Sequence, residues 1–320
     1  MRTGVAATTA GYFHETTFYD SDEALLSVVV PFLEEGVAAG EPTVVTFGRR
    51  NRQLVESALS DRSGITFVPG EARYVNPATT IRTYREAFAA YVAAGANQIR
   101  VVGDVPHPGM GVPWDGWARY EAAVNHAYDD FPVWGLCPYD TRTTPPAVLD
   151  EVRRTHPHEA RPDGSHRHNP EFADPRGFLV ERPPAPPDPA ELTTPAIVLH
   201  DPDSASARRA VAAVASRSLL GAEQLAGLEL AVSEVVTNAL THGTAPCLVR
   251  AWLDSARRVV VAVHDGGRGP GDAFAGLLGP SGPGPGGHGL WIAHQACADV
   301  TLRREDDGFT VVLVAGDLVA

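Results

Sequence analysis

Cysteine is scarce in this chain. Three residues in 320, Cys137, Cys247 and Cys297, lie far apart in apolar surroundings and form no Cys-x-x-Cys pair. A disulfide framework is thereby excluded, and reduced, buried thiols in a cytoplasmic protein are expected. Long apolar runs are absent too. None approaches the length that crosses a bilayer, and the opening residues MRTGVAATTAGYFHE lack a signal peptide's hydrophobic core. That excludes a membrane-bound receptor. Basic residues are outnumbered, 26 against 39 acidic ones, and the net charge of −13 disfavours non-specific nucleic-acid binding and anionic membrane surfaces. A basic protein partner stays compatible. What is there suffices for two domains, since 320 residues with 44% hydrophobic content can bury ordinary cores.

The most informative stretch is LELAVSEVVTNALTHG, residues 228–243. Leu228, Val232, Val235 and Ala239 recur at helical spacing and predict a buried stripe. Glu234 and Asn238, four apart, then share another face of the same helix. A carboxylate beside a neutral carboxamide suits a nucleotide site. The amide oxygen ligates Mg²⁺ without adding charge, and the carboxylate polarises a hydroxyl or water. Taken alone, the spacing also fits a solvated polar face, which is the commoner case.

Two later segments shift that balance. In VVVAVHDGGRGPG, residues 259–271, a β-branched run ends in Asp265, and Gly267 and Gly269 follow at alternate positions. A carboxylate at a strand end accepts from an exocyclic base amine, and glycines let the backbone approach a ligand. A plain strand with a glycine turn fits this segment equally well. In GPGPGGHGLWIAHQACADV, residues 282–300, a Gly/Pro loop runs into Gly287, His288, Gly289 and Leu290 and then an apolar helical stretch. Glycines opening a helix leave outward N–H groups that bind phosphate with help from the helix dipole. A flexible loop with a glycine cap is the plainer alternative.

In this order and spacing the three segments resemble the ATP site of the GHKL superfamily, which includes gyrase, histidine kinases and MutL. Within it, SEVVTNALTHG and the short distance between boxes resemble the anti-sigma-factor serine kinases, over roughly residues 195–315. The resemblance implies a two-layer α/β sandwich of the Bergerat type that binds ATP and Mg²⁺. By position it makes Glu234 the general base and Asn238 the Mg²⁺ ligand. Asp265 would bind the adenine amine, with Gly267 and Gly269 shaping the base pocket and Thr310 supplying a hydroxyl near adenine. Gly287, Gly289 and Leu290 would close a lid on the triphosphate, and His242 and Gly243 would be structural. One departure is His288, where many such kinases carry Arg. Arginine stays charged at physiological pH, whereas imidazole is mostly neutral there, so backbone amides would do most of the phosphate work.

Residues 14–155 alternate short β-rich runs, TVVTFG (43–48), ITFV (65–68), QIRVVGD (98–104) and PVWGLC (132–137), with helical stretches. Such alternation predicts a mostly parallel sheet covered by helices, a three-layer α/β domain with ligands at the carboxyl ends of its strands. No G-x-x-x-x-G-K-[ST] phosphate loop occurs in this half. His14 with Phe18 and Tyr19, PFLEEGVAAGEPTVV, the run Leu136 to Asp140, and Arg154-Thr155-His156-Pro157 resemble the MEDS sensory domain. That family is thought to sense small, hydrocarbon-like molecules. The sensory candidates are His14, Tyr19, Glu121, Cys137, Tyr139 and Asp140, each polar or reactive near an element end. Cys137 reads as a buried strand-end residue rather than a redox sensor.

The expected domains are therefore a sensory domain over 1–158, a linker over 159–194 and an ATP-binding domain over 195–320. The linker assignment rests on its proline content and few apolar residues. Histidines at 156, 158, 166 and 168 include His-x-His pairs that could take a transition metal, but a solvated or domain-bridging role is the expectation. The expected function is a cytosolic regulatory switch, an anti-sigma-factor-like serine kinase. Its partners by resemblance are a sigma factor and a STAS-domain antagonist, with a small molecule on the sensory domain and a homodimer left open. The alternatives are a non-catalytic, ATP-gated binding module and a soluble histidine kinase. No dimerisation hairpin with a phosphoacceptor histidine precedes the ATPase boxes, which weighs against the latter.

Overall fold

The computed structural model describes residues 2–254, 258–279 and 287–316. The Gly/Pro loop expected ahead of Gly287, residues 282–286, lies outside the described residues. Two compact units result, the first holding Met1–Val75 and Thr80–Val180 and the second Glu181–Ala320 with Asn76–Thr79. No helix among the described residues is long and apolar enough to cross a membrane.

The first unit runs β1 (Phe13–Tyr19), α1 (Asp22–Ala38), β2 (Thr43–Thr46), α2 (Arg49–Ala58), β3 (Ile65–Phe67), α3 (Gly70–Arg73), α4 (Pro77–Ala93), β4 (Ile99–Gly103), α5 (Asp115–Ala127), β5 (Val133–Asp140), α6 (Pro146–Thr155), β6 (His158–Ala160), β7 (His166–His168) and α7 (Pro175–Glu181). The sheet order is β3-β2-β4-β5-β1-β6-β7. Its pairs are parallel except the last, β6 with β7. The inner strands β2 and β4 are buried throughout, as a sheet covered on both faces requires. Ser21 caps α1, accepting from Ala24 N–H at 3.1 Å, and Asp22 and Glu23 complement the helix dipole.

Strand periodicity sorts the side chains of β1 between two layers. Phe13 joins a core with Leu25, Val29, Leu33, Trp134 and Leu136. Glu15, on the same face, accepts from Trp134 Nε1 at 2.6 Å. His14 therefore points the other way, and so does Cys137, because β1 and β5 register His14 with Gly135 and Thr16 with Cys137.

The expected linker over 159–194 is largely folded, a correction to the sequence reading. Residues 158–168 form a hairpin that extends the first sheet, its turn closed by Asp163 Oδ1 accepting from Ser165 N–H at 2.9 Å. The strands are three residues long and rich in His, Arg and Glu, so they carry no hydrophobic alternation. Arg182–Asp188 is free of helix and strand. A short 3₁₀ turn, Pro189–Leu192, follows, capped by Asp188 and belonging to the second unit.

The second unit continues with β8 (Ile197–His200), α8 (Ser204–Ala215), α9 (Ala222–His242), β9 (Leu248–Asp254), β10 (Arg258–Asp265), α10 (His288–Ala296), β11 (Asp299–Glu305) and β12 (Gly308–Gly316). Its antiparallel sheet is ordered β11-β12-β10-β9-β8. One face packs Val259, Val261, Val263, Phe309, Val311 and Leu313 against the three helices. The other face, with Trp252, Val260, Ala262, Val312 and Val314, is covered in part by Ala190. This is the two-layer sandwich the motifs implied.

Candidate functional site

α9 sets one wall of the site. Leu228, Val232, Val235 and Ala239 are buried in the core, as their spacing predicts, and this turns Glu234 and Asn238 onto a half-buried flank. Neither of these two side chains hydrogen-bonds another described residue. The start of α10 lies against them. A methyl group on Gly289 would sit 2.9 Å from Asn238 Nδ2 and 3.0 Å from Glu234 Oε2. A residue without a side chain is what admits the helix that closely.

Gly287 caps α10 at φ 80°, the left-handed region that glycine adopts at least cost. His288 follows, exposed, and Leu290 packs partly against the core, where it anchors α10. The N–H groups of the first helical turn have no partner within the helix. They open beside the Glu234–Asn238 flank, a setting suited to a phosphate chain and its counter-cation.

Asp265 ends β10 and is buried. Its Oδ1 accepts from Gly267 N–H at 2.7 Å and Thr244 N–H at 3.2 Å, so the carboxylate is held in place. Oδ2 receives no hydrogen bond among the described residues. His242 and Gly243 end α9 immediately before Thr244, so the first box and Asp265 are tied through backbone. Gly269, at φ 69°, rests against the ring of Phe309.

Thr310 does not join this group. It pairs with His264, not Asp265, and its hydroxyl donates to Glu305 Oε2 at 3.0 Å. Strand parity places it with Val312 and Val314 on the face away from α9 and α10. Phe309 is the residue opposite Asp265 on the helix-covered face, and it presents a ring in place of a hydroxyl.

The sensory candidates divide between two places in the first unit. At the carboxyl ends of the strands, Tyr19 Oη accepts from Asn51 Nδ2 at 3.1 Å, and Asn51 also donates to Asp104 Oδ1 at 3.0 Å. Asp140 is bound by the Arg142 guanidinium, which holds its carboxyl below the usual range. Burial pushes the Asp104 carboxyl up to about 7, with Asn51 and the Gly48 N–H opposing the shift. Asn51 and Asp104 were missed, although QIRVVGD ends a strand on that Asp, the position where such sheets hold ligands.

His14, Glu121, Cys137 and Tyr139 meet elsewhere, deep between β1, β5 and α5, together with His156, which follows α6. Tyr139 Oη donates to Glu121 Oε1 at 2.5 Å. His14 Nε2 and His156 Nε2 each lie 3.6 Å from Glu121 Oε2, and Cys137 Sγ lies 3.5 Å from His14 Nε2. Burial pushes the Glu121 carboxyl up to about 8, drives His14 well below its ordinary value and brings His156 down to about 4. It also raises the Cys137 thiol, with Glu121 adding to the effect, which argues against a reactive thiolate. Beside Cys137 lies a cavity of about 20 Å³ bounded by Tyr12, Tyr74, Tyr84, Tyr120 and Tyr128. That volume admits a group the size of one water molecule.

Comparison with known proteins follows the same division. Residues 13–157 match the model of MEDS, the methanogen/methylotroph, DcmR sensory domain. Residues 200–315 match that of the histidine kinase-like ATPase domain. Both agree with the motif resemblances. No curated protein matches the chain. Among solved structures, the RsbU and RsbW domains of Rv1364c from Mycobacterium tuberculosis align at 24% identity with a TM-score of 0.26, over 38% of this chain and 33% of that one. The histidine kinase domain of the blue-light activated histidine kinase EL346 from Erythrobacter litoralis aligns at 23% identity with a TM-score of 0.26, over 36% of this chain and 61% of that one. This chain thus covers less than two thirds of either structure.

Proposed function

From a chain that joins a MEDS sensory domain to a histidine kinase-like ATPase domain, we propose a regulatory switch in which a small-molecule signal controls an ATP·Mg²⁺-binding serine kinase of the anti-sigma type. The observation that carries the nucleotide reading is the close approach of Gly289 to Glu234 and Asn238. The start of α10 and the flank carrying the Asn238 amide and the Glu234 carboxyl come together there, which supports the reading, as does the fixed Asp265 carboxylate at the end of β10. These groups fit the cofactor: Asn238 would hold Mg²⁺, the α10 amides the phosphates, and Asp265 Oδ2 the adenine amine. ATP would supply the phosphoryl group and Mg²⁺ would neutralise its charge. Glu234, one helical turn before Asn238, would accept the proton of an attacking serine hydroxyl. Catalysis of this type is mostly positioning and electrostatics, which one helix face and one helix start can provide.

The partners follow from the resemblance of SEVVTNALTHG to anti-sigma kinases: a serine-bearing STAS-domain protein as phosphoacceptor and a sigma factor as the controlled protein. The test incubates the full chain with labelled ATP and a panel of STAS-domain proteins, then maps the modified residue. Phosphoserine on one of them is the expected result. Mg²⁺-dependent ATP binding without transfer to any partner would leave a gating module, and label on a histidine of the chain itself would make it a histidine kinase.

A further inference from the structure

The geometry points to a divalent transition-metal site in the first unit, formed by His14, Glu121, Cys137 and His156, with zinc as the ion its donor set suits best. The site is independent of the nucleotide reading, which concerns the other unit. Its four ligand atoms lie within 4.8 Å of one another. Three of the six pairs are separated by 3.5, 3.6 and 3.6 Å. For the two nitrogen–oxygen pairs, such separations are too long for good hydrogen bonds. All three match a tetrahedral ion instead: with bonds of about 2.0–2.3 Å, its ligand atoms stand about 3.3–3.6 Å apart.

Two of the atoms have no other use. Glu121 Oε2 and His156 Nε2 are buried and lack any hydrogen-bond partner. Such orphaned groups are costly in a protein interior. The atoms behind them are all engaged. His156 Nδ1 lies 2.8 Å from Val152 O, which can only accept, so Nδ1 carries the proton and Nε2 presents a lone pair. Asn125 Nδ2 donates to Glu121 O at 2.9 Å and Thr155 O at 2.8 Å, which orients its amide. Asn125 Oδ1 then accepts from His14 Nδ1 at 3.1 Å, and His14 Nε2 also presents a lone pair inward. Glu121 is steadied from behind by the Tyr139 hydroxyl. This is the outer shell that metal-binding imidazoles and carboxylates typically have.

Charge and softness agree with the assignment. A thiolate and a carboxylate neutralise a divalent ion, while the two imidazoles add none, so the buried centre is uncharged overall. Mixed N, O and S donors at four corners favour Zn²⁺ and related first-row ions over Mg²⁺ or Ca²⁺. On binding, the Cys137 thiol and the Glu121 carboxyl, which burial keeps protonated at neutral pH, each lose a proton to solvent as the sulfur–metal and oxygen–metal bonds form, with no change of oxidation state.

The experiment uses the full chain, purified without a histidine tag, loaded with Zn²⁺ or Co²⁺ and freed of excess ion by gel filtration. Elemental analysis should find one ion per chain, and the cobalt form should show a thiolate-to-cobalt charge-transfer band. Cys137→Ser should abolish that band, and Glu121→Gln and His156→Ala should each lower retained metal at least tenfold. Asn125→Ala, a positioning change, should weaken affinity by about 10–100-fold. Loss of bound ion in His168→Ala, with full retention in Cys137→Ser, would move the site to the 158–168 hairpin and overturn the assignment. So would wild-type protein that holds no stoichiometric ion or gives a cobalt spectrum without the thiolate band, a result that does not depend on any variant folding.

Discussion

Gly289→Ala should leave the second unit folded while disabling its nucleotide pocket. The new methyl would lie 2.9 Å from Asn238 Nδ2, 3.0 Å from Glu234 Oε2 and 3.4 Å from Glu234 Cβ. The two nearest atoms end flexible side chains, so they can rotate aside for about 0.5–1.5 kcal/mol. Exchanging glycine for alanine in a helix returns up to about 1 kcal/mol. Net stability therefore changes by less than about 1 kcal/mol, a shift of only a few degrees in melting temperature. Binding has no such compensation. The methyl occupies the space between α10 and the Glu234–Asn238 flank, and the displaced heads lose their aim at the ion and phosphates. Losing one charge-assisted contact alone is worth about 1.5–3 kcal/mol, or roughly 10–150-fold in affinity. Titration calorimetry with ATP and Mg²⁺, beside differential scanning calorimetry, reads both quantities on the same sample. Wild-type affinity in the variant would refute the placement of the ligand. A drop of ten degrees or more would show that Gly289 is needed for packing instead.

Three further outcomes are expected. Asp265→Asn should weaken ATP by about 1.5–3 kcal/mol, because a charged acceptor is lost, while leaving GTP unchanged in competition binding; equal losses for both would remove the adenine role. Glu234→Ala should keep ATP affinity and slow transfer to a partner serine by about 10²–10⁴, read as initial rates of phosphopeptide formation. Asp104 should make the first unit more stable in mild acid. Its folded pKa of about 7 lies above the ordinary 3.8, so its contribution is fully present below the unfolded value and is lost as pH rises through about 7. At about 1.4 kcal/mol per unit this is up to about 4 kcal/mol, and Asp104→Asn should flatten the fall in melting temperature between pH 5 and pH 8.

The helix faces behind the proposed nucleotide site were legible because each of their parts is local. A stripe of Leu228, Val232, Val235 and Ala239 orients its own helix, and Gly287 and Gly289 announce their helix start without reference to any other segment. Thr310 failed for the opposite reason. Which face a strand residue takes depends on pairing, and Phe309, not Thr310, falls opposite Asp265. His156 was grouped with the histidines of an expected linker, although it is wholly buried; only the packing of α6 reveals that. The hairpin of β6 and β7 escaped because its pairing partner, β1, lies more than a hundred residues earlier and lends it an order its own composition does not suggest.

That hairpin bears on how the sensory unit can be isolated. Cutting the chain near 158, where the motifs end, would strip β6 from β1 and bare the backbone of a nearly fully buried strand. An unpaired strand edge invites a second molecule to dock there, and aggregation follows. In the intact chain the outermost strand is His166-Arg167-His168, exposed at all three positions, and His166 reaches back to Glu15 Oε2 at 2.8 Å. Short, polar and cationic, it makes a poor template for further strands. A fragment carried through to residue 180 keeps this guard, and solubility, rather than ligand binding, is the property that would reveal its loss.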